Sequence, residues 1–360
     1  MLLIVGMPEV AIGFPNPYQK KSVKTTGSRI KGDIKMISKV FNVKKSIAMV
    51  AAAFALLSAG CEKPSPEPFR VGTNTWPGYE PLHLAQDLGY YKTTGIEVIR
   101  YTSATEVSRA FSNGFIDAAA LTMDEVLLLK EHMNKPSLVL VMDFSNGGDV
   151  IIVRRGIKNM KDLVGKRVGA ESNALGAFFL SRALSLSNMS INDVQVVPLE
   201  IDEHEVAFKS GIVDAVVTFE PVRSNLLKSG ARIVFDSSKI PGEIVDVLIV
   251  REEVAENRGN SMELLLSGWF RAVEYIKDKP ADAARVLAKK EGVTEEQFLE
   301  SLKGLHIPDR DENIALLSGR DESLKKGVAL LSVNMAKSGL LDRAVDATAL
   351  IDKGPVTRVK

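Results

Sequence analysis

Five short turns hold the residues of this chain best suited to grip a small molecule. The first, Asn74–Glu80, offers the flat faces of Trp76 and Tyr79, a phenol that can also hydrogen-bond, and the polar ends of Asn74 and Glu80. Trp76 would serve equally well as hinge packing. The second turn joins Thr122 to Asp124, whose carboxylate also stands where a helix N-cap would stand. In the third, Ser145–Asp149, two glycines let the backbone approach closely, and Asp149 precedes an apolar run where an idle carboxylate is costly. The fourth passes from Glu171 through Ser172 to Gly176 and opens a helix whose free N–H groups could hold an anion. Thr218 and Glu220 make the fifth. These turns contain no Lys or Arg, whereas Asp124, Asp149, Glu171 and Glu220 are all acidic. Such a lining repels a small anion and suits an amine, a protonated heterocycle or a neutral polar ring.

Binding is favoured over catalysis. The four histidines, His83, His132, His204 and His306, are scattered, and no H-E-x-x-H pair, G-x-S-x-G elbow, P-loop or G-x-G-x-x-G after a strand is present. Neither a metal nor a cofactor is expected. His83 lies in an apolar helix and reads as a satisfied core or surface residue. His204, between Glu203 and Glu205, could shuttle protons, but an exposed helix start explains it better.

The elements that would position these turns alternate between strand and helix. FRVGT, IEVIRYTS, DAAALT and SLVLVMDFS read as strands, with helices between them that include Ala104–Ser112, closed by Gly114, and Asp124–His132. DVIIVRR, KRVGAES, QVVPLE and DAVVTF continue the strands, alternating with helices Ala177–Leu186 and His204–Lys209. This order predicts an α/β fold with mostly parallel sheets. DVIIVRR and the later IVDVLIVREE break the run as two crossing strands, and everything from Ser261 on has helical periodicity. Met262, Leu265, Trp269 and Val273 fall on one helix face as lobe packing. The reading is therefore two lobes, 69–150 plus 247–355 and 153–244, with a cleft between them. A single large α/β domain with a helical tail is the competing arrangement.

Charge sets the first 60 residues apart. They hold nine of the 46 basic residues and only two of the 45 acidic ones, so the net charge of +1 conceals a body, 61–360, of −6. An acidic body has no electrostatic footprint for nucleic acid. Lys39, Lys44 and Lys45 precede a short apolar core, Ile47–Leu57, and the small residues Ser58, Ala59 and Gly60 precede Cys61, the only cysteine. This is the order of a secretory signal peptide, too short to stay as a membrane span. Cys61 stands where a bacterial lipoprotein is lipidated, although Ser58 occupies the usual leucine position. A plain signal peptide with an incidental cysteine is the alternative. Residues 1–35 fit neither reading, and translation starting at Met36 would account for them. Residues 61–68, rich in proline, form a tether.

The motifs W-P-G-Y-E-P (Trp76–Pro81), G-x-x-D-A-A (Gly114–Ala119) and F-E-P (Phe219–Pro221) resemble the nitrate/taurine class of ABC-transporter substrate-binding proteins, with its alkanesulfonate and thiamine-precursor relatives. The stretch KNMKDLVGKRVGAE and the return of the G-x-x-D-A pattern in KSGIVDAVVTFEP extend the likeness over nearly all of 69–350. The resemblance implies a type II periplasmic-binding-protein fold, a small-molecule ligand, ABC permease subunits as partners, and a monomer on the periplasmic or outer face of a membrane. A sensing role beside a membrane signalling protein would use the same clamp. A pyrimidine-precursor enzyme on this fold is a further alternative, but its cysteine-rich motif is missing here. Sulfonate or nitrate binders of the class need donors and positive potential at the fourth turn. Here that turn is E-S-N-A-L-G, which carries Glu171 and no Lys or Arg, so the expected ligand is a cationic or aromatic nitrogenous molecule such as a thiamine-like pyrimidine.

Overall fold

Runs of small and branched apolar residues make the central strands. Ala118–Thr122 (AAALT) and Val245–Val250 (VDVLIV) are buried at every position, as strands covered on both faces must be. In the computed structural model, residues 67–130, 136–172 and 175–359 are described. The leader, Cys61 and the tether up to residue 66 lie outside the described residues, as do His132, Asn173 and Ala174.

In chain order the strands are β1 (Phe69–Thr73), β2 (Ile96–Arg100), β3 (Ala118–Thr122), β4 (Ser137–Ser145), β5 (Val150–Val153), β6 (Arg167–Ala170), β7 (Gln195–Pro198), β8 (Ala215–Thr218), β9 (Arg232–Asp236), β10 (Val245–Val250) and β11 (Leu305–His306). They form two sheets, one of six strands in the order β11-β4-β10-β3-β1-β2 and one of five in the order β7-β6-β8-β5-β9. The chain passes between them twice, through 146–149 and through 237–244. β1 pairs in parallel with β2 and β3, as β6 does with β7 and β8. The reversed strands are the ones the crossings deliver: β10 is antiparallel to β3 and β4, and β5 to β8 and β9. The two-residue edge strand β11 is also reversed. The strands thus make two sheets rather than one undivided sheet.

Local chemistry explains the helices that hold the turns. Ser103 caps Ala104–Ser112 by accepting the Glu106 N–H at 3.3 Å, and Gly114, at φ +73°, ends the turn beyond. Gly259–Asp278 lays Met262, Leu265, Trp269 and Val273 inward, all buried, against the helix Glu80–Asp87. Other segments depart from expectation. RIVFD forms β9 although it lacks strand alternation, Leu305–His306 adds an edge strand within the helical tail, and KNMKDLVG holds only one 3-10 turn, Met160–Leu163.

The two crossing segments are bonded to each other. The Ser145 and Ser237 hydroxyls lie 2.8 Å apart, Ser237 Oγ accepts the Gly147 N–H at 2.6 Å, and the Ser237 N–H reaches the Asp149 carbonyl at 3.0 Å. Gly148 is obligatory here, because a Cβ would fall 2.9 Å from the Trp76 ring.

Candidate functional site

Strand ends from both sheets and one crossing segment converge on a narrow slot. It is lined by Asn74, Trp76 and Tyr79 after β1, Ala104 after β2, Thr122 at the end of β3 and Glu125 just beyond it, Asp149 on the crossing, Glu171 and Leu175 after β6, Phe219 after β8, and Asp246 of β10. Ligands of open α/β sheets bind at such carboxyl ends. The free volume is about 20 Å³, room for about one water. Anything larger requires the sheets to part.

Trp76 forms one wall. Its Nε1 donates to Asp143 Oδ2 at 3.1 Å, and its ring meets Phe219 from the opposite sheet edge-to-face, at 5.5 Å and 85°. The close approach depends on Gly78, where a Cβ would stand 1.8 Å from Asp143 Oδ2. Tyr79 donates its hydroxyl to Asp246 Oδ1. Asp143 and Asp246 are register partners on β4 and β10, beside a bulge. Glu125 accepts the Thr122 N–H at 3.0 Å, so the helix-capping role considered for Asp124 falls to Glu125 in the third position of Met123–Lys130. Asp124 keeps an unbonded carboxylate oxygen.

Six buried carboxyls therefore gather at one place: Asp124, Glu125, Asp143, Asp149, Glu171 and Asp246. Burial raises them all. Asp124 is pushed up to about 6, Asp143 and Asp149 to about 7, and Glu171 to about 8, the last helped by Glu200, Asp149 and Asp124. Glu125 and Asp246 rise well above the carboxylate range, through burial and then the charges of Asp124 and Asp143 respectively. The same burial, with Asp246 close by, lifts the Tyr79 phenol. Asp124 Oδ2, Asp143 Oδ1, Asp149 Oδ2 and Asp246 Oδ2 are buried without a hydrogen-bond partner among the described residues. No Lys or Arg is among the lining residues. Nor, among the described residues, are three His, Cys, Asp or Glu side chains grouped as metal ligands.

The expected site residues divide into two groups. Asn74, Trp76, Tyr79, Thr122 and Asp149 line the slot, and Asp124 packs behind it. The others have local partners. Glu80, fully buried, pairs with Arg100 at 2.7 Å. The Thr218 hydroxyl lies 3.2 Å from His204 Nδ1. Glu220 caps the helix Val222–Lys228, accepting the Ser224 N–H at 3.1 Å and pairing with Arg223 at 3.0 Å. Ser172 is exposed and borders a separate open cavity of about 510 Å³, which shares Glu171 with the slot. One expectation is corrected: His204 is buried, not at an exposed helix start, because it faces inward from the first turns of Ile201–Ser210, and burial lowers its pKa to about 4. His83 is satisfied by the Thr73 hydroxyl at 2.8 Å.

The profile of the NMT1-like family matches residues 62–290. The chain belongs to the NMT1-like family. Its similarity to the taurine-binding periplasmic protein of Escherichia coli K12 is 22% identity over 252 residues, covering 67% of this chain and 78% of that one. The alkanesulfonate-binding protein SsuA of Xanthomonas axonopodis pv. citri, solved with MOPS, superposes with a TM-score of 0.68 at 17% identity, over 79% of this chain and 99% of SsuA. The desulfurization enzyme DSZB superposes with a TM-score of 0.61, also at 17% identity, over 80% of this chain and 97% of the enzyme. The family shares the two-lobe α/β fold that the W-P-G-Y-E-P and F-E-P motifs implied. That fold supports both binding and catalysis, so function must be argued from the slot.

Proposed function

We propose that this protein is an exported solute-binding lipoprotein that closes its two lobes, 69–150 plus 247–355 and 153–244, around a small nitrogenous cation and delivers it to an ABC importer. The observation that carries the reading is the slot itself: four buried carboxyls in its lining, Asp124 and Asp143 buried beside them, and the faces of Trp76 and Tyr79, with no basic residue in the lining. An organic cation would neutralise the carboxyls and lie against the aromatic wall, a combination worth about 0.5–2 kcal/mol per ring contact in a desolvated site. The relatives named for taurine and alkanesulfonate support a periplasmic carrier role. The charge of this slot argues for a different cargo from theirs. Cys61 carries the lipid, and the chain acts as a monomer beside its permease.

A binding role is preferred to an enzymatic one because no histidine or cysteine lines the slot. Calorimetry with the purified protein tests the reading against a primary amine, an aminopyrimidine, a sulfonate and nitrate. Binding of the amine or the pyrimidine is expected. Tight binding of the sulfonate alone overturns it. Conversion of the bound pyrimidine to a product would move the protein to the enzymes.

A further inference from the structure

The slot carries more acid than one small cation can neutralise, and more acceptors than the protein satisfies. Acidic groups line it from both sheets and the crossing, namely Tyr79 after β1, Glu125 after β3, Asp149 on the crossing, Glu171 after β6 and Asp246 on β10, and the buried Asp124 and Asp143 add theirs beside them. Behind Glu171 stand Glu200 and Asp202, which add to the negative potential. The nearby cations are committed or remote. Arg182, on the helix after Glu171, is held by Glu243 through hydrogen bonds of 2.6 and 2.7 Å, and Lys337 is exposed on the rim of the neighbouring cavity. Two of the partnerless oxygens, Asp149 Oδ2 and Asp246 Oδ2, belong to residues that line the slot and are 2% and 1% exposed. Buried acceptors left bare cost about 1–3 kcal/mol each, so the site calls for donors as well as charge.

Resting on the cation-binding reading, we propose that the slot takes an organic cation bearing N–H groups, an ammonium, amidinium or guanidinium, in exchange for protons, and refuses a quaternary ammonium of equal charge. Closed without a cation, the buried carboxyls of both sheets hold their protons more tightly than free ones do. When the cation enters, the O–H bond of a carboxylic acid breaks, its proton leaves to the solvent, and the carboxylate oxygen accepts an N–H of the ligand. Charge balances at each step. A quaternary ammonium brings the same charge but leaves Asp149 and Asp246 without donors.

The direction with pH follows. Burial holds Asp149 to about 7 and Glu171 to about 8, and a bound cation lowers both. Affinity therefore rises with pH across roughly 6 to 8, about tenfold per pH unit for each proton released, and levels off above that range. Titration calorimetry of the purified protein tests this with methylguanidinium, ethylammonium, tetramethylammonium and taurine. The titrations run at three pH values across this range, in two buffers of different ionisation enthalpy. Expected are binding of the first two with a buffer-dependent heat of about one proton, and tetramethylammonium weaker by about 100-fold. In Glu171→Gln, with its circular dichroism unchanged, fewer protons should be released. Equal binding of tetramethylammonium overturns the donor requirement. Binding of methylguanidinium with neither pH slope nor buffer-dependent heat overturns the exchange while leaving cation binding intact. Binding of taurine alone, or of no probe, overturns the cation reading itself.

Discussion

Replacing Asp149 by asparagine should make the protein more stable at pH 8 and by a much smaller margin at pH 5. Asp149 titrates near 7 in the folded protein, against 3.8 for the free side chain, because burial penalises its charge. Across that interval the folded state holds a proton that the unfolded chain has lost, so stability falls as pH rises. The slope is about 1.4 kcal/mol per pH unit for one group, or about 3 kcal/mol between pH 5 and 7. Opening of the slot hydrates the carboxylate and trims the loss to roughly 2 kcal/mol, a fall in Tm of about 3 °C in a chain of this size. The amide of the Asp149→Asn variant keeps the shape and cannot ionise, so this contribution to the slope disappears. Thermal unfolding followed by circular dichroism at pH 5, 6, 7 and 8 measures both proteins. A native Tm that is level or rising over this range would refute the reasoning, as would an Asp149→Asn curve parallel to it.

Three other substitutions probe the frame around the slot. Trp76→Leu removes the N–H donated to Asp143 and the aromatic wall, and should weaken ligand binding by about 10- to 100-fold by calorimetry. Gly78→Ala places a methyl group 1.8 Å from Asp143 Oδ2 and 2.6 Å from Trp76 Nε1; chemical denaturation should show a loss of about 1–3 kcal/mol, with ligand binding abolished. Arg182→Met strands Glu243, whose carboxylate is nearly buried and also accepts from Asn334 at 3.2 Å. A loss of about 3 kcal/mol in urea unfolding is expected, and a neutral result would show that Glu243 finds water instead.

Turn chemistry at strand ends made much of the slot legible beforehand. Asn74, Trp76, Tyr79 and Thr122 sit where a β–α alternation must turn, Asp149 sits on the glycine-bearing link between two strands, and all five reach the slot. Asp143 and Asp246 escaped because each stands within an apolar strand and becomes meaningful only when β4 and β10 pair them. A lone acid inside SLVLVMDFS or IVDVLIV was the available signal, since burying it unused is costly. Glu125 drew no attention in the sequence, because only its bond to the Thr122 N–H and its burial single it out. Glu80 and Thr218 illustrate the opposite difficulty. Their turns suggested the slot, but Arg100 on β2 and His204 on a later helix hold them, and sequence spacing does not reveal such partners. β9 and β11 went unseen for the same reason: short edge strands owe their form to a neighbour more than to their own pattern.

The hydroxyl pair Ser145–Ser237 has a mechanical consequence. Two ribbons fastened side by side bend more readily together than apart, so in the proposed clamp the two crossings would act as one hinge rather than two. Because the Ser237 N–H grips the Asp149 carbonyl, that acid rides on the pivot itself. Of the six carboxyls it is the one carried by a crossing segment rather than by either sheet.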